Sequence, residues 1–147
     1  MDPKAADALA GEVPVAAPAD RALAGSGPEL EANYEAAYRQ LKLSPQEQYL
    51  YQQHLENLAA GGVPNQGQLS TLFATTIEVD GRHYVIPTVW PTGSGRLEIV
   101  DADRASMLAA QAGLANFPSY GSQKEAEARY GRMHEYMERD FGKPSVP

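Results

Sequence analysis

The sequence predicts an α+β fold, in which a helical hairpin precedes a small antiparallel β-hairpin packed with two helices. Apolar residues recur at helical spacing on both sides of the middle of the chain. Between these regions, two runs of strand-forming residues flank Asp80-Gly81. This dipeptide is a strong indicator of a type I′ β-hairpin turn, so the centre of the chain is predicted to be a hairpin.

The order of these patterns divides the chain into four predicted parts. Residues 1–28 form an arm rich in Ala, Pro and Gly, 29–62 a helical hairpin, 67–141 a small α+β module, and 142–147 a tail. The arm contains no aromatic residue and no sustained apolar period. Because it cannot bury enough surface to offset its ordering entropy, we expect it to be flexible unless a partner surface or the chain's own domain orders it.

Composition excludes several classes of site. The chain has 147 residues and no cysteine, which excludes a disulfide framework, a thiol nucleophile and Cys-based zinc sites. The formal net charge is −7, and the chain lacks the cluster of basic residues that binding to nucleic-acid phosphates requires. Sequence-specific nucleic-acid binding is therefore not expected. No apolar run approaches the roughly 20 residues that span a bilayer, and no signal peptide is expected.

The helical hairpin is predicted from one apolar stripe and one set of capping residues. The first helix covers 29–42, and its stripe consists of Leu30, Tyr34, Ala37, Tyr38 and Leu41. Ser44 is a suitable N-cap for the second helix, with Pro45 at the first helical position and Glu47 closing a capping box. This helix runs to about residue 60, where Gly61-Gly62 end it.

The β-hairpin prediction includes a register. Strands over 70–79 and 82–90 joined by a two-residue turn place Val79 opposite Arg82. The opposed pairs are then Glu78 with His83, Ile77 with Tyr84, Thr76 with Val85, Thr75 with Ile86, and Phe73 with Thr88. Pro87 lacks an amide donor, so its strand is expected to be an edge or to bulge there.

The remainder of the module contains one more short strand and two helices. Residues 91–95 form a loop before a predicted third strand over 97–100. Asp101 is an N-cap for a helix ending at Gly113, and the chain breaks again at 116–118. Ser122 with Glu125 forms a second capping box, and the last helix runs to about residue 140.

No catalytic, cofactor-binding or metal-binding residues are predicted. Glu78 and His83 are opposed across the hairpin and could form a carboxylate–histidine base, but no motif supplies a nucleophile or an oxyanion hole. The histidines at 54, 83 and 134 lack metal-ligand spacing, and each is expected to be exposed or at the rim of the core. Two glycine-containing segments, 93–95 and 142–145, lack the features of a phosphate-binding loop.

Aromatic residues supply the candidates for a partner interface. These are Tyr34, Tyr38, Tyr49, Tyr51 and Trp90. Tyrosine and tryptophan are enriched at interfaces because they bury a large area and provide a hydrogen bond. The alternative is that the tyrosines pack the two helices together or against the β unit, and that Trp90 fills the small core.

Residues 67–141 carry a further set of motifs in a fixed order. These are Gln68-Leu69-Ser70-Thr71, Asp80-Gly81, Tyr84-Val85-Ile86-Pro87-Thr88-Val89, Ala105, Ala109, Gly113, Phe117-Pro118, Ser122, Glu125-Ala126, Tyr130 and His134. This order resembles a small module of tailed-bacteriophage virion proteins, often internal, ejected or tail-associated chains, in which a "dGk…viPTv" hairpin precedes a helix, a glycine and an "fp.f.s..eA" helix start. The resemblance implies no catalytic residues and makes the hairpin a packing and docking element.

The resulting functional expectation is a non-enzymatic structural protein of a tailed phage. The chain would be associated with the portal or tail, or packaged as a small ejection protein, in several copies within a symmetric assembly. It would be made in the host cytoplasm and reside in the virion, with residues 1–28 and 29–60 contacting other virion proteins. One alternative is an assembly chaperone or adaptor outside the virion, and another is a small hydrolase that uses Glu78 and His83.

Overall fold

The computed structural model describes residues 27–141. The predicted arm therefore lies outside the described residues except for its last two positions, which belong to the first helix. The predicted tail, 142–147, lies outside them entirely. The α+β fold class is confirmed within residues 27–141, which contain four α-helices and small antiparallel sheets.

Helices begin and end the described part of the chain, and the strands lie between them in sequence. The elements are α1 Gly27–Leu41, α2 Pro45–Ala59, β1 Val63–Asn65, β2 Gln68–Ser70, β3 Thr75–Val79, β4 Arg82–Ile86, β5 Val89–Pro91, β6 Leu97–Ile99, α3 Ala102–Ala112, a 3₁₀ turn Leu114–Asn116, β7 Ser119–Tyr120 and α4 Gln123–Arg139. Within the described residues, the strands form three antiparallel sheets, ordered β1-β2, β3-β4-β7 and β5-β6.

The capping residues predicted for α2 are confirmed. The amide of Glu47 donates to Ser44 Oγ at 3.1 Å, and the amide of Ser44 donates to Glu47 Oε1 at 2.9 Å. Together these bonds satisfy two donors that the first turn of a helix otherwise leaves unpaired. The chain then leaves the helix through Gly61 and Gly62, whose φ angles are +102° and +63°.

The central hairpin has the predicted turn and the predicted register over β3 and β4. Asp80 and Gly81 have φ angles of +52° and +80°, as a type I′ turn requires. The confirmed pairs are Thr75 with Ile86, Thr76 with Val85, Ile77 with Tyr84, Glu78 with His83 and Val79 with Arg82.

Both predicted strands are shorter than expected. The strand over 70–79 is interrupted between β2 and β3, so the predicted Phe73–Thr88 pair is wrong as a ladder pair. Instead, the Thr88 side chain donates to the Phe73 carbonyl at 2.7 Å, and the Thr88 amide donates to the Leu72 carbonyl at 2.8 Å. The strand over 82–90 stops before Pro87, as the missing amide predicts, and resumes as β5 against β6.

Three short strands, β1, β2 and β7, are not among the predicted elements, since the predicted strand over 70–79 shares only Ser70 with β2. Residues 63–67, expected to be a linker, instead begin a small hairpin in which β1 pairs with β2. Its turn residues Gln66 and Gly67 have φ angles of +53° and +82°, and a glycine at the second turn position was the available sequence signal. The two-residue strand β7 joins the central sheet beside β4, although its sequence carries no strand pattern.

One hydrophobic core joins the helical hairpin to the α+β module. Leu50 and Tyr51 of α2 are buried with Val85 of β4, with Met133 of α4, and with Phe117, which follows the 3₁₀ turn. The two predicted segments therefore pack as a single body over the described residues. A shared core offsets the small size of each part, because a short chain buries too little apolar surface to be stable alone.

Candidate functional site

A buried polar network lies where α2 meets the end of α4. The imidazole of His54 has no solvent exposure, and its Nδ1 and Nε2 atoms lie 2.7 Å from Thr71 Oγ1 and 2.9 Å from Asp140 Oδ2. Tyr51 donates to Asp140 Oδ2 at 2.8 Å, and Asn33 donates to Asp140 Oδ1 at 2.8 Å. The expectation that His54 is exposed or at the rim is therefore wrong, because these partners make its burial favourable.

The donor count indicates the protonation state of this network. The Asp140 side chain accepts hydrogen bonds from Tyr51, Asn33 and the Nε2–H of a neutral His54. Nδ1 of His54 then accepts from the Thr71 hydroxyl. Burial lowers the pKa of His54 despite the neighbouring carboxylate, and burial beside that carboxylate raises the pKa of Tyr51. Both side chains are therefore neutral at pH 7.

The order hydroxyl, imidazole and carboxylate is shared with hydrolase triads, but its surroundings favour a structural role. Thr71 is only 5% exposed, and His54 is enclosed completely. Asp140 also holds Tyr51 and Asn33, so its carboxylate is a junction between α1, α2 and α4. The network therefore supports the segment that contains Thr71.

That segment is the turn of residues 71–74, here called the Phe73 turn. Its main-chain oxygens are hydrogen-bonded in succession. Asn57 donates to the Thr71 carbonyl at 2.8 Å, and Thr88 donates to the carbonyls of Leu72 and Phe73 at 2.8 Å and 2.7 Å. Together with the Thr71–His54 bond, these contacts fix the turn from both sides.

Phe73 is held in an unfavourable backbone conformation and points to solvent. Its φ angle is +42°, and 56% of the residue is exposed. A bulky residue in the left-handed region costs of order 1–3 kcal/mol and persists only where its surroundings impose it. The strained backbone costs free energy, and the exposed ring buries little apolar surface within this chain. Such an arrangement is typical of residues retained for binding.

A groove runs beside Phe73, between the 65–76 segment and one face of α4. Its first part, about 420 Å³, is lined by Thr71 and Phe73 on one wall and by His134, Glu138 and Phe141 on the other. A second part, about 460 Å³, continues between β3 and α4. Ala74, Tyr130 and His134 line both parts, so the groove is continuous along the helix.

A second buried junction fixes α4 against α2. Glu47 is buried, and Arg129 donates to its two carboxylate oxygens at 2.7 Å and 3.0 Å. Tyr120 donates to Glu47 at 2.6 Å, and Arg129 also donates to the Leu41 carbonyl. Burial opposes ionisation of Glu47, but the hydrogen bonds from Arg129, Tyr120 and Ser44 outweigh it and lower its pKa.

The structure divides the predicted interface residues. Tyr51 and Trp90 are buried in the chain's own core, and Trp90 donates to the Pro87 carbonyl at 2.7 Å. The prediction of a partner interface is corrected for these two residues, because their side chains complete this fold. Tyr34 and Tyr49 are half-buried against the core, whereas Tyr38 is 43% exposed and stays an interface prediction.

Phe73 was not predicted as an interface residue. The sequence places it inside an apparent strand, where its side chain is expected to face Thr88. Its exposure follows from the break at 71–74, which depends on His54, Asn57 and Thr88. No local sequence pattern contains those long-range contacts.

Glu78 and His83 are opposed in the ladder as predicted. Glu78 is exposed, and His83 is half-buried beside Tyr120, its ladder partner on β7. Among residues 27–141, no group of three or more His, Cys, Asp or Glu side chains is placed to hold a metal ion.

No protein-family description, curated protein or solved structure matches this chain. Across residues 27–141, no helix has the length and apolar character needed to cross a membrane.

Proposed function

We propose that this chain is a non-enzymatic structural component of a tailed-bacteriophage virion, acting through protein–protein contacts. It is located at the portal or tail, or it is packaged as a small ejection protein, in multiple copies. The observation that carries the proposal is Phe73, an exposed aromatic ring on a strained turn that buried hydrogen bonds hold in place.

A fixed aromatic residue suits docking better than a mobile one. Association reduces the freedom of interface side chains, and a residue that is already held loses less on binding. Large aromatic residues also dominate the binding energy of many interfaces. The Phe73 turn meets both conditions, because Thr88 and Asn57 fix its main chain while the ring stays accessible.

The resemblance of residues 67–141 to virion modules supplies the biological setting. The residues that carry it include the hairpin turn at Asp80-Gly81, the stop at Gly113 and the helix start at Ser122. In this fold they form the frame of the module, with Gly113 at a φ angle of +104° and Ser122 capping α4. Because the resemblance lies in the turn, stop and cap residues that shape the module, it supports a structural role.

An assembly chaperone or adaptor outside the virion is the second candidate. It would use the same exposed Phe73, since a docking residue does not identify its partner. This candidate predicts that the chain binds virion proteins during assembly but is absent from mature particles. A hydrolase based on Glu78 and His83 is a third candidate, and it requires that His83→Ala abolish a measurable activity while the fold survives.

Quantitative mass spectrometry of purified particles, before and after triggered DNA release, tests the proposal. Loss of the chain from emptied particles identifies an ejection protein, and a constant copy number identifies a fixed portal or tail component. Absence from both samples contradicts the proposal and leaves the chaperone or adaptor.

A further inference from the structure

We propose that the groove between β3 and α4 binds an extended, basic segment of a neighbouring protein, which adds a strand to the free edge of β3. This inference rests on the proposed function, because it names the contact through which the chain joins its neighbour. Three features carry it: an open strand edge, a groove beside that edge and a matching charge pattern.

The strand edge is available. In the described part of the chain, β3 is hydrogen-bonded to β4 on one side, and the sheet order β3-β4-β7 leaves its other side without a strand. An unpaired edge presents a row of main-chain donors and acceptors to an incoming strand. Addition of an extended peptide to such an edge is a common mode of recognition, in which pockets beside the edge select side chains.

The groove provides room for alternate side chains of that segment. Its helical wall is one stripe of α4, formed by Gln123, Glu127, Tyr130, Gly131, His134 and Glu138. The wall has open space beside Gly131, because a Cβ atom built there meets no atom within 4 Å outside its chain neighbours and the helix's own backbone. Thr75 and Thr76 of β3 line the opposite wall.

The charge of the groove selects a basic segment. Its lining includes the carboxylates of Glu127 and Glu138 and contains no Lys or Arg within the described residues. His134 Nε2 lies 3.3 Å from Glu138 Oε2 on the same wall. Complementary charge raises association rates and rejects wrong partners, so a Lys- or Arg-bearing strand is favoured over an acidic one.

Phe73 specifies where an apolar side chain of the segment lies. It lies two residues before the start of β3 and lines the first part of the groove with Leu69 and Tyr130. A strand pairing with β3 would therefore place a side chain beyond Thr75 against the Phe73 ring. The occupant is an extended segment with an apolar residue at its centre and basic residues at its ends.

The test uses the full chain and a short synthetic peptide in which valine and threonine alternate between two terminal lysines. A matched peptide carries glutamate in place of each lysine. Amide resonances are followed by NMR during titration of each peptide. We expect the lysine peptide to shift resonances of 75–79 and of the groove face of α4, and to bind at least about tenfold more tightly than the glutamate peptide.

Two variants locate the contact. Gly131→Gln fills the groove from a position with open space, and glutamine is a better helix former than glycine, so the variant is expected to fold. Ala128→Gln adds the same side chain at an exposed position outside the groove lining. Gly131→Gln should weaken binding at least about tenfold, while Ala128→Gln leaves it within about twofold.

Three results would overturn the inference: equal affinity for both peptides, absence of shifts in 75–79, or equal effects of the two glutamine variants. Failure here is distinct from failure of the proposed function. A chain present in particles whose groove does not bind the lysine peptide retains the function and loses this inference. A chain that binds the peptide but is absent from particles retains this inference and loses the proposed virion function.

Discussion

His54 Nε2 lies 2.9 Å from Asp140 Oδ2, and both side chains are buried although 86 positions separate them. This contact joins α2 to the end of α4. On its other side, the same imidazole meets Thr71 in the Phe73 turn. His54 therefore links the contact between α2 and the end of α4 to the turn that carries the exposed Phe73 ring.

Asp140→Ala should lower the free energy of unfolding by about 3–5 kcal/mol, because it leaves buried donors of Tyr51, Asn33 and His54 without their acceptor. Urea unfolding followed by the fluorescence of Trp90, the single tryptophan, measures the change. The control is Glu138→Ala, whose exposed side chain predicts a change within about 0.5 kcal/mol. Similar values for the two variants would refute the junction.

Stability should depend on pH through His54. Because burial lowers its pKa in the folded state from the ordinary value of 6.5, the unfolded chain binds the proton more readily. The contribution is complete above about pH 6.5 and is lost as pH falls toward the lower folded pKa. This single group contributes a slope of at most about 1.4 kcal/mol per pH unit.

Urea unfolding across this pH range measures that slope. His54→Gln should remove it, because glutamine does not titrate there. His83→Gln, on β4 and not among the groups that shift the pKa of His54, is the matched control and should retain the slope. The assignment to His54 fails if the slope survives His54→Gln.

Arg129→Lys should destabilise the fold by about 2 kcal/mol, although it preserves the charge. Lysine cannot reproduce the two parallel bonds to Glu47 or the further bond to the Leu41 carbonyl. Arg39→Lys, at an exposed i,i+4 pair with Glu35, should change stability by less than about 0.5 kcal/mol. Thermal unfolding of the two variants compares them, and an equal effect would contradict the buried junction.

The free energy of unfolding should be higher for Phe73→Gly than for Phe73→Ala, by about 1 kcal/mol. Glycine adopts a φ angle of +42° without the steric cost that alanine retains. Both variants lose the ring, so both should bind a partner more weakly than the parent chain. Equal stability of the two variants, measured by urea unfolding, would show that the turn is not strained.

The sequence predicted the elements that depend on local residues. The cap at Ser44, the turn at Asp80-Gly81 and the stop at Gly113 are all confirmed, because each is determined within a few positions. The break at 71–74 and the burial of His54 could not be predicted in this way. Both depend on Asp140 and Thr88, which reach the site only after the chain has folded.

The predicted site shows the same limit. Residue type points to Tyr51 and Trp90, but these types fit a core as well as an interface, and packing places both inside. The sequence does not single out Phe73, because it lies in an alternating apolar pattern typical of a strand. Residue type and periodicity therefore predict most helices, strands and turns of the module. Which aromatic side chains are exposed depends on long-range contacts.

Site-specific photo-cross-linking in assembled particles tests the central claim most directly. A benzophenone analogue of phenylalanine replaces Phe73 in one variant and Met107 in another, since Met107 is 59% exposed on α3 and outside the groove. The account predicts that irradiation joins position 73, but not position 107, to another virion protein. Absence of a product from position 73, or equal products from both positions, would contradict docking through Phe73.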